Sequence, residues 1–168
     1  MRLFNGHQKI DQDSLQKIFL MQLNNIFCIK SYLVTNLPVM AAAASFIDLK
    51  NAIYENVDEI KVQLLRMEVI YAMIGETYDP QQCIAIRAFT IEAYASSKLP
   101  GMSPLETDLV MLYHLVALES LEQACYTTLH EIALSLPESD VALLLKQNLD
   151  MAKDSKELYT MIIREYIN

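Results

Sequence analysis

Four long stretches in which apolar residues recur at intervals of three and four dominate the chain, a period that suits helices burying one stripe against other helices. The first runs from Asp13 to Asn36 through Leu15, Ile18, Phe19, Leu23, Ile26, Phe27, Ile29 and Leu33. Pro38 predicts its end, because proline lacks the N–H of the next turn and clashes with the turn before it. The second starts near Ala41 to Ser45 and continues through Leu49, Ile53, Val57, Ile60, Leu64, Met67 and Ile70 to Gly75, a C-cap. The third long stretch opens on a capping box. Ser103 is the N-cap, Pro104 takes the first position and Glu106 the third, and the helix carries Leu109, Leu112, Val116, Leu121, Cys125, Leu129 and Ile132 toward Pro137. The last is capped by Ser139 or Asp140 and bears Val141, Leu145, Leu149, Ala152, Tyr159 and Ile162.

A shorter helical segment stands between the second and third stretches. In "YDPQQCIAIRAFTIEAYASS", Asp79 is the predicted N-cap and Pro80 the first helical residue. No alternating strand pattern or linker interrupts the series. With 53% hydrophobic residues, only 3 Gly and 5 Pro, the composition likewise favours long helices over turn-rich sheets. The expectation is one all-α domain over residues 1–168: a ferritin-like four-helix bundle whose middle connection crosses over and carries an additional shorter helix between the second and third long helices.

The formal charge of −8 argues against nucleic acid or an anionic membrane surface as partner, since both recruit Lys and Arg. Cys28, Cys83 and Cys125 are odd in number and form no Cys-x-x-Cys pair, so neither a disulfide framework nor a zinc knuckle is expected and a reducing cytoplasm fits. The N-terminal "MRLFNGHQKIDQD" lacks a secretory apolar run, and "LPVMAAAASF" is too short for a membrane span.

A dinuclear carboxylate site in such a bundle needs a Glu from each of two helices and a Glu-x-x-His from each of the others. The chain has no Glu-x-x-His; its histidines are His7, His114 and His130. No nucleophile–base pair is legible either, so no catalytic residue is expected. Yet "HLVALESLEQACYTTL" sets Glu119, Glu122 and Tyr126 at spacings of three and four among apolar residues. This segment resembles the E-x-x-E-x-x-x-Y of the YciE/YciF-like ferritin-like family. "LKNAIYENVDEIKVQLLRME" resembles that family's second helix, "CIAIRAFTIEA" its cysteine-led third helix, and Asp108 the acid eleven residues before the glutamate pair. The resemblance covers about residues 14 to 165 and implies a homodimer in a stress setting, with a dinuclear metal site.

The departures bear on that metal. Where the resemblance calls for a ligand Glu on the first helix stands Lys30; on the second stand Asp58 and Lys61; and the carboxylate column of the last helix falls near Met151 or Ala152. Lys30, Asp58, Lys61, Glu119, Glu122 and Ala152 are therefore read as vestigial metal positions. Ammonium groups there repel a dication, and a lysine–carboxylate pair replaces its charge. The plainer reading of Lys61 is a stem packed on the bundle edge with its charge in water.

The expectation is a noncatalytic, stress-type helical protein with no cofactor, acting through dimerisation or protein interaction. Apolar residues Ile84, Ile86, Phe89 and Ile91 of the short helix suit such an interface. The alternative is an Fe or Mn carboxylate oxidase or peroxide-handling protein using Asp58, Glu119, Glu122 and either Asp150 or Asp154. A bundle holding an apolar small molecule is a third class, with no motif behind it.

Overall fold

The computed structural model describes residues 9–80, 101–136 and 139–168, with the side chain of Ser139 excepted. The described residues form four helices: α1 (Gln12–Ala43), α2 (Ile47–Met73), α3 (Pro104–Ala133) and α4 (Ser139–Ile167). The short helix expected after Pro80, with Cys83 and the apolar residues from Ile84 to Ile91, lies outside the described residues.

Each helix buries a stripe that steps alternately by four and three, the seam expected when helices cross at a shallow angle. On α1 it is Phe19, Leu23, Ile26, Lys30, Leu33, Leu37 and Met40, all buried. On α2 the same stepping gives Leu49, Ile53, Asn56, Ile60, Gln63, Met67 and Ile70; on α4 it gives Val141, Leu145, Asn148, Ala152, Ser155, Tyr159 and Ile162. The α3 seam runs from Asp108 through Leu112, Leu115, Glu119, Glu122 and Tyr126 to Leu129 and Ala133. Polar residues thus interrupt every seam and, apart from Asp108 near the start of α3, they cluster midway along the bundle.

Helix α1 packs chiefly on α2 and α3, and α4 on α3 and α2, which leaves α2 diagonal to α3. The two hairpins thus pack with α2 and α3 on opposite corners of the bundle, the arrangement of ferritin-like topologies.

Helix α1 does not stop before Pro38; it passes through it to Ala43. Losing the proline N–H and crowding the preceding turn costs about 3 kcal/mol. Burial of Leu37 and Met40 on the seam contributes roughly 1.5–3 kcal/mol each, enough to carry the helix one turn further. The chain breaks instead at Ala44, whose backbone is extended. By length and composition α1 is long and apolar enough to cross a membrane, its most apolar 18-residue stretch having a mean hydropathy of 1.4, a property the shorter "LPVMAAAASF" did not reveal. Here it serves as a core helix, its seam set against the rest of the bundle.

The other ends follow the predicted chemistry. Gly75 has φ +70°, and the Gly75 and Glu76 amides donate to the Ala72 and Tyr71 carbonyls, closing α2 in a Schellman turn. At α3 the Glu106 amide donates to Ser103 Oγ at 3.3 Å and the Ser103 amide to Glu106 Oε2 at 2.6 Å. The start of α2 has no cap of its own. Asp108, fully buried on α3, accepts from the Ser45 and Phe46 amides at 2.9 and 2.8 Å and from the Tyr166 hydroxyl at 3.3 Å. An acid from another helix thus satisfies donors that the chain break at Ala44 leaves bare, and complements the positive end of the α2 dipole. Tyr166, half-buried beside Asp108, has its hydroxyl pKa pushed up, first by desolvation and then by the Asp108 carboxylate.

Candidate functional site

Midway along the bundle the α1 and α3 seams bring Lys30 against Glu122 in an ion pair whose two side chains are wholly shielded from water. One turn back on α3, Glu119 Oε1 accepts from Asn56 Nδ2 of α2 at 3.1 Å. Asn56 Nδ2 also donates to Ser155 Oγ of α4 at 3.0 Å, and the Ser155 hydroxyl donates to Glu59 Oε2 at 2.8 Å. All four helices contribute to this layer. Below it, Asn148 Nδ2 donates to the Gln63 carbonyl at 3.3 Å, and Arg66 donates to Asn148 Oδ1 at 3.2 Å.

Burial, and secondarily the charge of Glu122, hold the Glu119 carboxyl well above the usual carboxylate range; Lys30 and the Asn56 hydrogen bond pull the other way without prevailing. Hydrogen bonding gives the same answer. Glu119 Oε2 and Glu122 Oε1 are buried acceptors with no donor, and a proton on Glu119 turned toward Glu122 supplies one. The layer is then a neutral acid beside an ammonium–carboxylate pair, with zero net charge in a low-dielectric interior. Tyr126 and Tyr159, fully buried nearby, have hydroxyl pKa values pushed up, first by burial and then by these glutamates.

The dinuclear metal implied by the family resemblance does not suit this donor set. Hard or borderline divalent ions need several anionic or imidazole ligands. Here one carboxylate already faces an ammonium, the other favours its proton, and α2 offers the amides of Asn56 and Gln63. Among the described residues no three His, Cys, Asp or Glu side chains converge closely enough to hold a metal.

Of the positions singled out from the sequence, Lys30, Glu119 and Glu122 are brought together. Ala152 is buried on the α4 seam, where its carbonyl accepts from Gln123 Nε2 at 3.1 Å, but its side chain offers no ligand atom. Asp58 and Lys61 do not face the interior. They form a surface pair at 2.7 Å with 78% and 55% of their side chains exposed. Each residue turns a helix by about 100°, so Asp58, two residues after Asn56, and Lys61, one after Ile60, are both swung out of the seam. The inward positions are Asn56 and Gln63, three residues after Ile53 and Ile60; their amide side chains carried no charge signal, but the stepping of four and three identifies them. Of the alternative ligands, Asp150 pairs with Lys146 and Lys153 on the outside, which lowers its pKa, and Asp154 lies at the mouth of a surface cleft.

The cysteines also need correction. Cys28, buried on α1, is disulfide-bonded, although the wide cysteine spacing argued against any crosslink. Cys125 is a free, half-buried thiol whose pKa is raised by burial and by Glu122, the opposite of an activated nucleophile.

An all-α, ferritin-like four-helix bundle with a buried ammonium–carboxylate layer is the class this geometry defines. Residues 14–168 match the family described as a domain of unknown function, DUF892, and the chain belongs to that family. Its fold is similar to the crystal structure of the E. coli stress protein YciF, with a TM-score of 0.85 at 21% identity, covering 92% of this chain and 97% of that one. It is similar too to YcfI, a putative structural protein from Rhodopseudomonas palustris, with a TM-score of 0.81 at 22% identity over 94% and 98% of the two chains. No curated protein matches the sequence.

Proposed function

We propose that this protein is a noncatalytic, stress-type helical bundle whose dinuclear metal site has degenerated, and that it acts through its surface as a homodimer. The observation that carries this reading is the shielded Lys30–Glu122 pair. It sets one fixed positive charge among the glutamates where the family resemblance calls for metal. Replacing a metal with a lysine keeps the interior neutral and the fold intact, while removing redox and Lewis-acid chemistry. The two structural neighbours, a stress protein and a putative structural protein, agree with such a role. The net charge of −8 supports a partner other than nucleic acid or an anionic membrane surface.

The oxidase alternative keeps only Glu119 and Glu122 of its proposed ligands. Anaerobic titration with Fe(II) and with Mn(II) decides between the two readings: no saturable binding is expected, and a stoichiometric end point would overturn the degenerate-site reading. Size-exclusion chromatography with light scattering at micromolar concentration is expected to give a dimer mass, and a monomer would remove that part.

A further inference from the structure

The buried contact between Lys30 and Glu122 differs from an ordinary interior ion pair in how little supports it. Two charges taken out of water are compensated only when further hydrogen bonds satisfy their remaining protons and lone pairs. Among the described residues, Lys30 Nζ and both Glu122 oxygens have no hydrogen-bond partner beyond this mutual contact. An ammonium brings three donors and a carboxylate about four acceptor sites, so most of the pair's capacity is buried unmet. The neighbours a turn away on each seam, Ile26 and Leu33 on α1 and Tyr126 on α3, are buried as well. Glu119, three residues before Glu122, completes the group. Asn56 holds its Oε1 at 3.1 Å, which leaves Oε2, buried and otherwise bare, to carry the carboxyl proton toward Glu122.

An amine, a carboxyl group and a proton-bearing acid held together out of water are the parts of an amide condensation. In water that reaction is held back by the hydration of both ions and by the excess of solvent. Here burial has removed both obstacles, and the fixed contact makes the step unimolecular. We infer that, once the chain has folded, Lys30 and Glu122 condense to an isopeptide bond, with Glu119 moving the protons. Lys30 Nζ first passes a proton to Glu122, giving a neutral amine and a neutral acid. The nitrogen lone pair then forms the Nζ–Cδ bond, Glu119 Oε2 delivers its proton to the departing Glu122 oxygen, and the Cδ–O bond breaks. Glu119 recovers a proton from the nitrogen. Two of the three ammonium protons thus leave with one carboxylate oxygen as water, and nothing is oxidised or reduced. The product has one N–H and one carbonyl in place of the two ions, which removes most of the unmet polar capacity and ties α1 covalently to α3. The ion pair is the form that folds and that a dication would meet; the amide is the form to which it matures. This inference uses the same pair as the degenerate-site reading but is read by mass. Its failure leaves a metal-free ion pair standing, whereas bound metal would remove that reading itself.

Intact-mass spectrometry of the full chain tests this. Protein held folded at neutral pH until its mass is constant, then denatured, is expected to weigh one water less than its sequence. Proteolysis is expected to release a branched fragment joining the segments around Lys30 and Glu122. Lys30→Arg, which keeps the charge but lacks a free amine lone pair, is expected to keep its full mass. Glu119→Gln keeps size and neutrality but cannot cycle a proton between its two terminal atoms. General acid–base catalysis is worth roughly a hundredfold or more, so condensation in this variant is expected to be at least tenfold slower. The inference is overturned if the folded parent keeps its full sequence mass, if the missing water maps to any other residue, or if Glu119→Gln loses water as fast as the parent.

Discussion

Removing the ammonium of Lys30 while keeping its stem, as in Lys30→Met, leaves Glu122 buried with no counter-charge. Both side chains have no exposure to solvent, so no water can compensate, and breaking a pair of this kind costs about 3–5 kcal/mol. For a chain of this size each kcal/mol lowers Tm by about 2–4 °C, which makes the expected fall about 6–20 °C. Domains are stable by only about 5–15 kcal/mol in all, so the single variant is expected to be marginal. The companion variant Lys30→Met/Glu122→Met removes both charges. Replacing a whole buried pair with apolar side chains of similar volume is often neutral or stabilising, so the double variant is expected to regain most of the loss. Urea denaturation at pH 7 of the parent, both single variants and the double variant closes a double-mutant cycle. A Lys30→Met variant that unfolds within about 0.5 kcal/mol of the parent, the scatter of an ordinary surface substitution, or losses of the two single variants that simply add, would rule out a coupled buried pair.

Three further outcomes follow from the same structure. Because the folded Glu119 holds its proton more tightly than the unfolded chain does, its contribution is fully present below the ordinary carboxylate pKa and is lost as pH rises toward its elevated folded value. Glu119→Gln, which is permanently neutral, is expected to flatten stability against pH between 5 and 8, and denaturant curves across that range that keep the parent's slope would contradict the assignment. Asp108→Ala strips the cap from the Ser45 and Phe46 amides and is expected to cost at least the 0.5–2 kcal/mol or so of an ordinary N-cap; amide hydrogen exchange should quicken at the start of α2 first, and uniform exchange would argue against a local cap. Gly75→Ala places a Cβ in open space but at φ +70°, so its cost is conformational alone, about 1–2 kcal/mol, and an unchanged Tm would show that the turn does not need the left-handed backbone.

What the sequence disclosed of this molecule depended on how local the deciding physics was. The capping box at Ser103 and the glycine terminus at Gly75 are settled within five or six residues, and both were legible. The end of α1 was not, because Pro38 is a local veto overridden by the burial of Leu37 and Met40 against other helices. The polar layer was half legible. Lys30, Glu119 and Glu122 stand out as charges on apolar stripes, whereas the charges of Asp58 and Lys61 drew attention from the silent amides of Asn56 and Gln63. Counting the stepping of four and three from Leu49 to Ile70 would have corrected the register without a structure. Asp108 reaching across to cap α2 had no sequence signal of its own.

In this bundle a lysine ammonium stands where the family resemblance calls for metal. Elemental mass spectrometry on protein expressed with iron and manganese supplied tests it most directly, with a Lys30→Glu/Asn56→Glu variant alongside. Substoichiometric metal is expected in the parent, and metal is expected to be recovered in the variant, whose added carboxylates join Glu119 and Glu122. Near-stoichiometric iron or manganese in the parent, with Lys30 in place, would contradict it.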